Sequence, residues 1–176
     1  MPVVVPTSLD EAVAAAANNE ALVLAGGTDL VVDINDRRRA PTADTTVVAL
    51  GRVPELTTWA VDRAVGLVRI GAGVTWAEIE REPLRSLLPA LADAARTVGS
   101  PQIRNAGTIG GNLATCSPAG DGLPVLVAHD AVVRLVSGSG RRELPVERFM
   151  VGVKQTALQP GELIEAVELR LVDGFQ

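Results

Sequence analysis

The chain has 176 residues, 47% apolar and 21% charged, which is the composition of one ordinary folded domain and excludes a disordered segment. A net charge of −5 is the opposite of a nucleic-acid binder's basic stripe, and no apolar run approaches the roughly 20 residues that span a bilayer. A single cysteine, Cys116, and a single histidine, His129, exclude intramolecular disulfides, cysteine-ligated iron–sulfur clusters and the usual zinc sites, so any redox chemistry must come from an organic cofactor or a partner.

Val3-Val4-Val5 is a short β-branched run, and Ser8-Leu9-Asp10-Glu11 after it is a capping box that predicts a helix over about 9–17, ended by Asn18-Asn19. Ala21-Leu22-Val23-Leu24 reads as a fully buried strand running into Ala25-Gly26-Gly27-Thr28-Asp29, and a further strand over 46–50 completes a small parallel βαβ unit of about 50 residues. The character then changes. Segments 57–61 and 67–72 read as antiparallel strands around Asp62-Arg63, and Thr75-Trp76-Ala77-Glu78 is a second capping box opening a short helix toward Arg81. A longer helix is predicted over 89–98, with Leu91, Ala94, Ala95 and Val98 on one face and Gly99 as its stop. Residues 100–124 hold five glycines, three prolines and two asparagines without a sustained period, which predicts a long functional loop. Pro124 suits the first turn of an apolar helix to His129, segments 132–136 and 142–144 form a hairpin about Gly138-Ser139-Gly140, and 163–171 is a last strand. With no tyrosine, two tryptophans and two phenylalanines, the core must be aliphatic. No secretory leader follows Met1, so a cytoplasmic chain is expected, with neither nucleic acid nor membrane as partner.

Two segments suit an anion. A phosphate needs several amide N–H groups converging on it, and glycine lets the backbone approach closely and adopt positive φ. Ala25-Gly26-Gly27-Thr28 follows a strand, and Gly107-Thr108-Ile109-Gly110-Gly111-Asn112 supplies three glycines, a hydroxyl and a carboxamide within six residues. Neither matches the Walker A or G-x-G-x-x-G pattern, and the only lysine, Lys154, lies far from both in sequence.

Leu24-Ala25-Gly26-Gly27-Thr28-Asp29-Leu30 together with Ile103-Arg104-Asn105-Ala106-Gly107-Thr108-Ile109-Gly110-Gly111-Asn112-Leu113 and Ser117-Pro118-Ala119-Gly120-Asp121 resembles the FAD-binding domain of molybdenum hydroxylases. These are the medium, flavoprotein subunits of the carbon monoxide dehydrogenase and xanthine dehydrogenase family. The resemblance runs over nearly the whole chain. It implies a PCMH-type α+β fold of two subdomains, a small parallel βαβ subdomain over 1–52 and a larger, mainly antiparallel one with helices over 53–176, without the C-terminal domain of about a hundred residues usual in the family. Non-covalent FAD is implied as cofactor, with Ala25, Gly26, Gly27, Thr28, Asp29, Leu30, Thr108, Gly110, Gly111 and Asn112 as binding residues and Asp121 near the adenosine ribose; no catalytic residue and no metal ligand is implied. The molybdenum cofactor and the iron–sulfur clusters are expected only in partner subunits, a molybdopterin-containing large subunit and an iron–sulfur subunit. The function so implied is an electron-transfer component that passes electrons from those clusters to NAD or another acceptor. A stand-alone FAD-dependent oxidoreductase, or a nucleotide-binding or assembly module without redox role, are the alternative readings.

Other residues read as structural. Arg37-Arg38-Arg39 is a solvated charge run, Arg104 ties its loop to the domain through carbonyls, and Cys116 packs inertly. His129 is a helix-terminal cation or a satisfied side chain, Trp59 and Trp76 belong to the core, and Asp29 either caps the next helical turn or meets the cofactor. A lysine near the flavin in the xanthine dehydrogenase branch falls at Gln155, one residue after Lys154, so its role is not carried over.

Overall fold

A computed structural model describes residues 2–18 and 20–171. Its first part is built from β1 (Val3–Val4), α1 (Leu9–Ala16), β2 (Ala21–Leu24), α2 (Leu30–Asn35) and β3 (Thr46–Ala49). Ser8 caps α1 as its sequence predicts, accepting the Glu11 N–H at 3.2 Å, while the Glu11 carboxylate reaches back to the Thr7 amide at 2.8 Å. Leu9, Ala12, Val13 and Ala16 are buried, the spacing of one helix face. The three strands form a parallel sheet in the order β1-β3-β2. Only β3 is central. Strand β2 is therefore an edge, and it is half-buried with Val23 40% exposed, not fully buried as its run of apolar residues suggests.

After two 3-10 turns at Leu50–Arg52 and Pro54–Leu56 come β4 (Trp59–Asp62), β5 (Leu67–Gly71), α3 (Trp76–Ile79), α4 (Leu84–Leu87) and α5 (Pro89–Thr97). The stretch 100–124 then departs from expectation: in place of a long loop it holds α6 (Pro101–Ala106), α7 (Ile109–Thr115) and the start of α8 (Gly122–Ala128). Ser100 caps α6 by accepting the Ile103 N–H, Thr108 caps α7 by accepting the Gly111 N–H, and Cys116 ends α7 in the left-handed conformation. Each of these helices is too short to show a period, and their termini come from local side-chain bonds. The chain continues through β6 (Val132–Ser137), β7 (Gly140–Pro145), α9 (Val146–Phe149), the hairpin of β8 (Met150–Gly152) and β9 (Gln155–Thr156), and β10 (Leu163–Arg170).

Strands β4-β5-β10-β6-β7 make an antiparallel sheet in that order, so the last strand of the chain lies at its centre. Val68, Ile70, Val133, Leu135 and Val167 from this sheet pack with Trp76, Leu91, Leu113 and Phe149 in the larger core cluster. A second cluster gathers α1 and β3 and takes Val53, Leu56, Val136 and Leu163 from farther along the chain, so the two sheets share buried contacts. Both clusters are aliphatic apart from a few rings, as the composition requires.

A cleft between two glycine segments

A cleft of ≈ 780 Å³ runs between the turn after β2 and the start of α7. Residues 25–30 line one side, and Thr108, Gly110, Gly111, Asn112 and Asp121 the other, so the fold brings every candidate binding residue to one place. It is within the volume range of cofactor pockets.

The first segment presents open backbone. Gly27 has φ +72°, a conformation that glycine adopts freely, and the amides of Gly26, Gly27, Thr28 and Asp29 donate to no protein acceptor among the described residues. A Cβ on Gly26 would overlap the carbonyl of Ala106, so this residue is glycine because the two segments touch there. Asp29 stands before α2 without a side-chain cap bond; its carboxylate instead accepts the Thr115 hydroxyl at 3.3 Å, linking the two sides.

The second segment is the reverse of its sequence expectation in one respect: apart from that of Thr108, its amides are already used. The N–H groups of Ile109 and Gly110 donate to the carbonyls of Val74 and Ala72, Gly111 N–H to the Thr108 hydroxyl, and Asn112 N–H to the Thr108 carbonyl. A Cβ on Gly110 would stand 2.5 Å from the Ala72 side chain and 2.7 Å from its carbonyl, whereas one on Gly111 would meet only Thr108 Oγ1, at 3.1 Å. Gly110 thus serves packing and Gly111 faces space. Asn112 Oδ1 is buried with no hydrogen-bond partner among the described residues, and Asp121 is exposed just before α8 with no side-chain cap bond. A buried polar atom left unpaired costs about 1–3 kcal/mol, which a ligand donor would recover.

The family described as the FAD binding domain in molybdopterin dehydrogenase matches residues 1–169. The chain belongs to that family. It is similar to the nicotinate dehydrogenase FAD-subunit of Eubacterium barkeri, with 42% identity over 149 residues, 82% of this chain and 49% of that one. It is similar also to the carbon monoxide dehydrogenase medium chain of Hydrogenophaga pseudoflava, with 33% identity over 169 residues, 94% of this chain and 56% of that one. Among solved structures, carbon monoxide dehydrogenase from Hydrogenophaga pseudoflava superimposes with a TM-score of 0.92 at 30% identity, over 99% of this chain and 60% of that one. The chain spans about half the length of the curated relatives it matches.

The cleft suits the dinucleotide that this family binds. Four free amides are donors for pyrophosphate oxygens, the orphaned Asn112 oxygen is an acceptor in want of a donor, and the Asp121 carboxylate can accept from hydroxyls. Side-chain charge adds little: Asp29, Asp33, Asp121 and Glu162 face the cleft with Arg38, Arg39 and Lys154, and Arg38 is paired with Asp33 and Asp36. Arg38, Arg39 and Lys154 are the lining cations that sequence reasoning missed, the first two set aside within a solvated run and the third distant in the chain. Lys154 arrives because its N–H donates to the Cys116 carbonyl at 3.0 Å, tying the β8–β9 hairpin to the end of α7. Arg104 lies outside the cleft wall, donating to the carbonyls of Val98 and Gly99 and paired with Glu80, which is the structural role its sequence position suggests. His129 follows α8, but its Nδ1 is buried without a partner among the described residues, so the expectation of a satisfied ring does not hold for that nitrogen. No helix among the described residues is long and apolar enough to cross a membrane.

Proposed function

We propose that this chain is the FAD-holding electron-transfer part of a molybdenum hydroxylase-type oxidoreductase. It would take electrons from the iron–sulfur subunit, which a molybdopterin-containing large subunit supplies, and release them to NAD or another acceptor. The observation that carries the reading is the union in one cleft of four free amides at 26–29 with the unpaired Asn112 oxygen and the Asp121 carboxylate. Residues 25–30 would hold the pyrophosphate, the Thr108 hydroxyl and Asn112 Nδ2 would donate to its opposite side where Gly111 leaves room, Asn112 Oδ1 would accept from a sugar or ribityl hydroxyl, and Asp121 would meet the adenosine ribose, with Gly110 supporting them from beneath. The subdomain boundary belongs near residue 52, where β3 gives way to the 3-10 turns. Bound FAD supplies the capacity to accept and hand on electrons, while the chain's own residues bind it, orient it and shield it from water.

The free amides point to phosphate rather than ring as the main source of affinity. FAD, with two phosphates, should therefore bind more tightly than FMN in a titration of the purified chain, followed by the visible absorbance of bound flavin. Equal affinity for the two would remove the pyrophosphate assignment. The electron-transfer reading has its own arm: bound flavin should be reduced by a hydroxylase substrate only when the molybdopterin and iron–sulfur subunits are present. Reduction of the isolated chain by a small substrate would instead favour a stand-alone oxidoreductase.

A further inference from the structure

Trp76 heads the largest side chains that are fully buried, at 1% exposure, and it also lines the cleft. It joins two parts of the cleft wall. Its backbone N–H donates to the carbonyl of Gly107 at 3.1 Å, and its side-chain Cδ1 lies 3.4 Å from where a Cβ on Gly107 would stand. At the other end of the ring, Cζ2 and Cζ3 lie 3.1 and 3.2 Å from where a Cβ on Gly122 would stand, and Cη2 is closer still. The indole therefore reaches from the second glycine segment to the first residue of α8, immediately after Asp121. A fused ring has no internal torsion, and a close-packed interior gives it no room to slide. Gly122 is the matching absence: without a Cβ, its backbone rests directly on the ring.

We infer that Trp76 is a positioning residue for the nucleotide half of the cleft, whose indole fixes the distance between the second glycine segment and Asp121. The inference rests on the FAD reading, because only a ligand that touches both the second glycine segment and Asp121 senses that distance. Trp76 touches neither loop amide nor carboxylate through a polar side-chain bond; it acts through the backbones it holds apart.

ADP, which carries the pyrophosphate and ribose of FAD without the flavin, is the probe, and riboflavin is its counterpart. Binding of both is measured by titration calorimetry on the full chain in a Trp59→Phe background, where Trp76 is the only tryptophan. ADP should change Trp76 emission. Gly122→Ala drives a Cβ into the ring and should weaken ADP by about fivefold or more while riboflavin affinity is kept. Adding Trp76→Phe removes the ring atoms in collision, and the double variant should recover ADP affinity to within about twofold of the background chain. Parental ADP affinity in Gly122→Ala, equal loss of ADP and riboflavin, or no recovery in the double variant would each overturn the inference. If Gly122→Ala does not fold, Trp76→Phe alone carries the test: it should weaken ADP and spare riboflavin, and unchanged ADP affinity overturns the inference. Failure of the background chain to bind FAD or ADP at all is a different result, and it overturns the FAD reading itself.

Discussion

Gly110 and Gly111 are neighbours in sequence and opposites in environment. From the motif alone a β-carbon at either position threatens cofactor binding and spares the fold. The packing divides them: Gly110 sits on Ala72 at the end of β5, and Gly111 has only the Thr108 hydroxyl nearby. Gly110→Ala should therefore destabilise the apo chain by about 1–3 kcal/mol, a fall in Tm of roughly 2–12 °C for a domain of this size. Gly111→Val should leave the apo Tm within a few degrees yet lose FAD by tenfold or more, about 1.4 kcal/mol. Thermal scans without cofactor, paired with flavin titrations, separate the two; a Gly111→Val chain with parental FAD affinity would make that glycine a structural turn. Asp29 shows the same limit of sequence reading. Its type permits a cap or a ligand contact, and only the fold reveals the Thr115 hydroxyl across the cleft.

At the scale of elements, capping chemistry was the legible signal, and length decided where it failed. Ser8, Thr75 and Gly99 mark α1, α3 and the end of α5 at the places their sequence predicts, because a cap is a local bond. Helices α6 and α7, of six and seven residues, are too short to show a period, and α7 also carries Gly110 and Gly111, residues that lower helix propensity, the first of them packed on Ala72 far away in sequence. The β8–β9 hairpin, with strands of three and two residues, has no period to read. The turn at 157–162 is a second case of a long-range tie. Arg142 on β7 donates to both Glu162 oxygens, at 2.6 and 2.7 Å, and to the Ala157 carbonyl at 2.7 Å, while Glu162 also accepts the Gln159 N–H. The hydrogen bonds from Arg142 hold the Glu162 carboxyl below its ordinary value of 4.5. Since the folded-state value is depressed, the stabilisation is fully present above pH 4.5 and is lost as pH falls through the lowered value. Glu162→Gln should cost about 1–2 kcal/mol at neutral pH. Melting across pH should show the gap between parent and variant closing below pH 4.5; a gap that stays constant into acid would mean that the charge of Glu162 is not what holds the turn.

For the molecule as a whole, the order strand, helix, strand, glycine turn, strand, followed by antiparallel hairpins, made two sheets readable in the chain, whereas the facing of the two glycine segments across one cleft was implied only by the family resemblance. What could not be read was how the two parts meet. Val53, Leu56, Val136 and Leu163 join the core around α1 through contacts between residues remote in sequence, and no pattern within either segment marks them. The seam continues to Gly26, whose missing Cβ lets the first segment lie against the Ala106 carbonyl. Gly26→Ala must push the segments apart, because the atom in the way is backbone and cannot rotate aside. A ligand that needs both sides then loses contacts on one of them, so FAD affinity should fall by tenfold or more, at least about 1.4 kcal/mol. The same loss is visible in stability through mass action. At a free FAD concentration 100 times the parental Kd, binding stabilises the parent by about 2.7 kcal/mol, and a tenfold weaker variant by about 1.4 kcal/mol. Tm measured against FAD concentration should thus rise more steeply for the parent, after the difference between the two apo chains is subtracted. A Gly26→Ala chain whose FAD-dependent rise in Tm equals the parent's would show that the cofactor is held from one side alone, and that the contact at Ala106 serves the fold without serving the cleft.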